Sequence, residues 1–152
     1  MIHSPGPDDP TDPHVLKRFV DAQQKDYETA LAEVRRGRKQ SHWMWYIFPQ
    51  FAGLGYSQTS KLYAIKSLKE ARAYLNHPVL GPRLIECMEA TLGVKGRSAY
   101  EIFGSPDDSK LKSCATLFAC ISPTGSVFEQ VLDQFFEGDR DARTLRLLGQ
   151  AN

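Results

Sequence analysis

Ser41-His42-Trp43-Met44-Trp45-Tyr46-Ile47-Phe48-Pro49-Gln50 holds both tryptophans of the chain, two further aromatic rings, a histidine and a terminal glutamine. Each such ring removes about 150–250 Å² from water, so four of them in ten residues must sit in or against a core. His42 and Gln50 are polar costs in a segment that could be wholly apolar, unless something receives their hydrogen bonds. The stretch therefore reads as a packing hub, a pocket wall, or both. Pro49 limits any helix here to a short turn.

Upstream, Arg35-Arg36-Gly37-Arg38-Lys39 leads into the hub. Before it, Leu16, Phe19 and Val20, then Tyr27, Ala30, Leu31 and Val34, recur at helical spacing. Asp12 suits the N-cap and Pro13 the first helical position. Whether this is one helix or two joined near Gln23–Lys25 is left open by the pattern. Residues 1–12, with three prolines and almost nothing to bury, are expected to form a disordered leader.

Downstream, helix-start grammar recurs every ten to twenty residues. Ser57 caps a helix expected to run through Leu62, Tyr63 and Ile65. Ser67 with Glu70 and Ser98 with Glu101 form capping boxes. His77 reads as a cap residue, followed by a helix from Arg83 to Leu92. Ser105-Pro106-Asp107-Asp108 places a cap, a proline and two carboxylates at a helix start. Ser126 opens an amphipathic helix carrying Phe128, Val131, Leu132 and Phe135, and a short helix with Leu145, Leu147 and Leu148 follows. No segment alternates with period two. The expected fold is all-α: a single domain over residues 13–152, an irregular array of about six to eight short helices.

The 152 residues suffice for one domain with a sizeable core, and a formal net charge of +1 gives no global pull towards nucleic acid or anionic membrane. Cys87, Cys114 and Cys120 include no CxxC pair, so a zinc site or disulfide framework is not indicated. No apolar run reaches the length of about 20 residues that a membrane helix needs, and no signal-peptide plan is present. A cytoplasmic protein with reduced, mostly buried thiols is expected. It is taken as a monomer by default, with no cofactor and no metal.

Arg36 to Gln50 is similar to the signature of domain-of-unknown-function family 1810 (DUF1810). The likeness continues through Gly53-Leu54-Gly55-Tyr56-Ser57, Tyr63-Ala64-Ile65, Glu70–Leu75, His77–Leu84, Ile102–Asp108 and Thr116-Leu117-Phe118, covering about residues 13–148. The resemblance implies a compact all-helical fold of bacterial type and no established activity. Some members have carried the label calpastatin; a calpain-inhibitor role does not follow, because calpastatin segments are disordered and this chain is patterned to fold.

Several residues can carry chemistry. His42, an imidazole with apolar neighbours, could serve acid–base chemistry, though a structural hydrogen bond is its plainer role. Arg38 and Lys39 followed by Trp43 and Trp45 combine cations with stacking surfaces, a pattern that binds nucleotides, other anions or single strands; helix-end cations facing water are the plainer reading. The Gly53–Ser57 loop precedes a helix start but lacks the GK[ST] and preceding strand of phosphate-binding loops, so a tight turn is favoured. Asp107 and Asp108 read as helix-start carboxylates rather than a metal pair. The expected function is binding of a small anionic or nucleotide-like ligand in a basic and aromatic pocket. Arg38, Lys39, His42, Trp43, Trp45 and Gln50 are its candidate residues, with Ser57 and Tyr63 contributing. The alternatives are a nucleic-acid-binding module on the same patch, or a protein-interaction or structural domain without a ligand. No reaction is named by these residues.

Overall fold

Serine caps set four of the helix starts. The computed structural model describes residues 9–151, with side chains as far as residue 149. Among the described residues there are nine helices, one more than the upper expectation: α1 (Lys17–Arg35), α2 (Met44–Ile47), α3 (Gln58–Leu62), α4 (Leu68–Asn76), α5 (Leu80–Leu92), α6 (Ala99–Phe103), α7 (Asp107–Ala119), α8 (Val127–Phe136) and α9 (Ala142–Ala151). The fold is all-α. Ser57, Ser67, Ser98 and Ser126 each accept the backbone N–H three residues on, at 3.1, 3.0, 3.0 and 3.3 Å, the bond an N-cap supplies to an otherwise orphaned donor.

Departures from the expected boundaries have local causes. The first eight residues of the expected leader lie outside the described residues, whereas Asp9–Asp12 forms a hydrogen-bonded turn. Asp12 does cap, but its carboxylate reaches the N–H groups of Leu16 and Lys17, at 2.7 and 3.0 Å. Val15 lies in the left-handed region at φ 52°, so the chain makes an extra turn before α1 begins. From Lys17 the helix is unbroken to Arg35. The Ser98–Glu101 box is reciprocal. Glu70 instead spends one oxygen on the Lys66 N–H at 3.0 Å and the other on Arg18 at 2.7 Å. Helix α5 starts three residues early because His77 Nδ1 accepts from the Val79 and Leu80 amides, at 3.1 and 3.2 Å. No side chain caps α7; the Asp108 N–H goes to the Gly104 carbonyl at 2.8 Å instead. Helix α3 stops at Leu62 because Ile65 pairs elsewhere. Its N–H donates to the Gln50 carbonyl at 2.9 Å, and its carbonyl accepts from Ala52 at 2.8 Å. That short parallel bridge ties the end of the aromatic stretch to the far side of α3.

Helix α7 is the centre. Leu111 and every residue from Ser113 to Ala119 are buried, as befits a helix covered on most sides. It packs against α8, α6, α9 and α4, while α5 joins α1, α4 and α8. Two buried polar groups lock α1 to its neighbours. The Gln23 amide donates to the Tyr46 carbonyl at 2.7 Å and to the Tyr74 hydroxyl at 3.0 Å. Arg18 bridges to the segment after α3 and to α4. Among the described residues no helix is long and apolar enough to cross a membrane.

The corner between α4 and α5 closes on Gly81, where a Cβ would lie 2.0 Å from the Leu75 carbonyl oxygen. Backbone cannot yield as a flexible side chain can. Gly81→Ala is expected to destabilise by about 1–3 kcal/mol, the range for overpacking, measured by urea denaturation. A neutral result would mean that α4 and α5 separate freely at this corner.

Candidate functional site

The approach to the aromatic stretch is held by a buried carboxylate, Glu33, on the last turns of α1. Its Oε1 accepts from the Gln40 and Ser41 amides at 2.8 and 2.9 Å and from the Trp43 indole at 2.9 Å. Its Oε2 accepts the Ser41 hydroxyl at 2.6 Å. Burial pushes this carboxyl up, but the Ser41 hydroxyl, the two amides and the indole together outweigh it and hold the group at about 2. Trp43 is fully buried, with Phe48 and Phe103 packed around it at centroid distances of 6.2 and 6.5 Å. Lys39 closes the same knot: its ammonium lies 5.0 Å from the Trp43 ring centroid, 2.9 Å from Asp107 Oδ2, and on the Ser41 carbonyl.

Trp45, two residues on, turns to the other side. It is half-buried and lines a cleft with two compartments that share Trp45, Gln50, Gly55 and Ser60. The smaller, of about 260 Å³, is completed by Phe51, Tyr63, Lys61, Lys66 and the backbone around Gly53. The wider, of about 490 Å³, adds Tyr56, Ser57, Lys110, Asp141 and Arg143. Four cations and one carboxylate thus line the two compartments. Asp141 Oδ2 is engaged by the Thr144 N–H and hydroxyl at 2.9 and 2.5 Å, at the start of α9. Lys110 lies 4.4 Å from the Trp45 ring centroid and 3.1 Å from Asp107 Oδ1. Asp107 therefore couples the Lys39–Trp43 knot to the Lys110–Trp45 wall.

The polar groups of this wall are largely unspent. Among the described residues, the Trp45 indole N–H, the Gln50 side-chain amide and the Tyr63 hydroxyl have no hydrogen-bond partner, and Arg143 has neither hydrogen bond nor ion pair. Burial raises the Tyr63 phenol, against a smaller lowering by Arg18, so it stays a neutral donor. Each is a group that water or a ligand can engage.

The candidate residues divide. Trp45, Gln50, Ser57 and Tyr63 come together on the cleft. Lys39 and Trp43, expected as pocket residues, lie behind it, because Glu33 and Asp107 draw their polar atoms inward. Arg38 and His42 are exposed and line neither compartment. The His42 carbonyl, not its ring, makes the local bond, accepting from Tyr46 at 3.3 Å. The glycines of the 53–57 loop serve close approach: a Cβ on Gly55 would meet Ser60 at 2.6 Å, and Gly53 (φ +102°) lies against Leu147. Lys61, Lys66, Lys110 and Arg143 are the cations the motif did not indicate. They come from α3, its exit, α7 and α9, and no local spacing links them. Cys87 and Cys114 are buried; burial pushes the Cys87 thiol up to about 12 and Cys114 well above its ordinary range, so neither is a thiolate nucleophile. Cys120 is exposed. No group of three or more His, Cys, Asp or Glu side chains able to hold a metal occurs among the described residues.

Comparison with known proteins places this arrangement. The chain is similar to the conserved hypothetical protein Rv1873 from Mycobacterium tuberculosis, whose crystal structure superimposes with a TM-score of 0.89 at 50% identity, covering 91% of this chain and 99% of that one. No curated protein matches the chain. The model of a family described as "Protein of unknown function (DUF1810)" matches residues 13–148. The Trp-rich signature thus sits within a matched helical core, and the chain belongs to the DUF1810 family.

Proposed function

We propose that this protein binds a small anionic ligand in the cleft walled by Trp45 and Gln50. The observation that carries the reading is the set of polar groups on one half-buried wall that have no partner among the described residues, the Trp45 N–H, the Gln50 amide and the Tyr63 hydroxyl, beside Arg143, which has no ion pair there. A purely structural hub has no use for them; Trp43 and Lys39 show what spent groups look like in the same motif. Ser57 contributes its hydroxyl at the rim, shared with the Ser60 hydroxyl at 3.1 Å. The ligand site is therefore displaced from Arg38 and His42 towards α3, α7 and α9. Concave compartments of a few hundred Å³ suit a small molecule better than a strand, whose binding relies on an extended basic groove. The buried free thiols fit a reducing, cytoplasmic setting.

A thermal-shift panel of inorganic phosphate, sugar phosphates, dicarboxylates and nucleoside monophosphates tests the reading. A ligand present at 100 times its Kd stabilises by about 2.7 kcal/mol, which for a chain of this size raises Tm by about 5–10 °C. The rise is expected to shrink in Arg143→Ala and Gln50→Ala, both of which keep the fold. A panel with no hit, or a hit indifferent to both substitutions, contradicts the proposal and favours an interaction domain.

A further inference from the structure

We infer that the two compartments divide one ligand between them, the smaller taking a neutral planar ring and the wider its phosphate, so that the ligand class is a nucleoside monophosphate. This rests on the anion-binding reading above without following from it, since phosphate or a sugar phosphate alone would satisfy that reading.

The compartments differ in chemistry. The smaller one is walled by Trp45, Tyr63 and Phe51, and its floor is pinned by the Phe51–Ile65 bridge. Lys61 and Lys66 line it but are exposed residues, so their stems can cover apolar surface while the ammonium groups stay in water. Beside the Trp45 N–H and the Tyr63 hydroxyl stands the Gln50 carboxamide, which has no partner among the described residues. An amide offers a donor beside an acceptor and no charge. It is suited to the edge of a heterocycle carrying the same pair, as glutamine reads adenine in nucleic acids. Aromatic side chains such as Trp45 and Tyr63 can stack with any base, because every base has a π-face. At about 260 Å³ the space falls short of the roughly 300–1,000 Å³ that holds a whole drug-sized ligand. It therefore accommodates part of a nucleotide.

The wider compartment is the charged one. Arg143 brings a guanidinium without a partner among the described residues, suited to bidentate contact with phosphate oxygens. Lys110 adds a cation held over Trp45, and Ser57 a hydroxyl. Asp141 is the carboxylate on the same wall, and it disfavours a tail of higher charge, hence a monophosphate. Trp45 and Gln50 belong to both compartments, so a ligand spanning them meets one continuous wall.

Isothermal titration of the full chain with the four ribonucleoside monophosphates, adenosine, ribose 5-phosphate, inorganic phosphate and a mixed oligonucleotide separates the possibilities. At least one monophosphate is expected to bind about tenfold or more tighter than adenosine and ribose 5-phosphate, the discrimination a site built to hydrogen-bond a substrate group can reach. Gln50→Leu is expected to weaken that nucleotide by a larger factor than it weakens ribose 5-phosphate; Arg143→Ala is expected to weaken both phosphate compounds by a larger factor than it weakens adenosine. Ribose 5-phosphate or phosphate binding as tightly as every nucleotide overturns the ring compartment while the anion reading stands. An oligonucleotide binding more tightly than all monophosphates overturns it in favour of a strand. No binding by any compound defeats both readings. If Gln50→Leu unfolds the chain, the comparison among ligands on the unaltered protein decides alone.

Discussion

Replacing Glu33 by glutamine is expected to lower stability by about 3 kcal/mol at neutral pH and to remove an acid-sensitive part of the stability profile. The carboxylate is 3% exposed and accepts two amides, a hydroxyl and an indole N–H. Those four donors hold it at about 2 against an ordinary value of 4.5. A folded-state value below the unfolded one means that the unfolded chain binds the proton more readily. Ionised Glu33 therefore stabilises fully above about pH 4.5, and the contribution fades as pH falls towards 2. A gap of this size is worth about 3 kcal/mol, at roughly 1.36 kcal/mol per unit. Glutamine keeps an acceptor for the amides and the indole but loses the charge that strengthens every bond. Urea denaturation of both proteins from pH 2.5 to 7 checks this. The expected difference is large at pH 7 and narrow at pH 2.5; a constant difference across the range would mean that Glu33 acts through shape alone.

Arg18→Ala is expected to cost roughly 3–5 kcal/mol, the penalty for leaving a buried charge unpaired. Its guanidinium donates to the Leu62, His14, Val15 and Ala64 carbonyls and to Glu70 Oε2, at 2.7, 2.6, 3.0, 2.9 and 2.7 Å. Removing it strands Glu70, itself 3% exposed, and releases the carbonyls on either side of Tyr63. Lysine should rescue little, because one ammonium cannot reproduce a planar fork serving five acceptors. Adding Glu70→Gln to Arg18→Ala should recover part of the loss by removing the stranded charge. Chemical denaturation of the four proteins in the cycle measures it. A loss under 1 kcal/mol for Arg18→Ala would place the pair among exposed ion pairs of small effect.

Both residues bear on what could be read beforehand. Serine caps act locally: a Ser followed three residues later by Glu announces α4 and α6 directly, and Ser126 before an amphipathic run announces α8. Cap grammar puts the start of α1 too early and leaves the end of α3 too late, because Val15 adopts a left-handed conformation and Ile65 pairs with Gln50 across the loop. Neither event leaves a local signature. Glu33 and Arg18 carry no local mark of their roles, since burial of a charged side chain depends on partners seven to fifty-two residues away. The site was legible in the same partial way. Trp45 and Gln50 stand out as aromatic and polar neighbours in one short stretch, and Ser57 and Tyr63 belong to the helix expected just downstream. Lys39 and Trp43 looked identical in kind to the cleft residues, and only Glu33 and Asp107 decide that they face inward. Arg143 and Lys110 reach the cleft from α9 and α7, about 90 and 60 residues beyond the motif, through tertiary packing alone.

The two tryptophans supply a direct readout of where a ligand binds. Both give indole N–H resonances in a ¹H–¹⁵N spectrum; Trp43 is sealed on Glu33, whereas Trp45 lines the cleft with its N–H free. Titration with the nucleoside monophosphates and sugar phosphates is expected to move the Trp45 resonance and leave that of Trp43 in place. Binding that shifts neither indole, or shifts Trp43 while Trp45 stays still, would contradict a ligand site at the Trp45–Gln50 cleft.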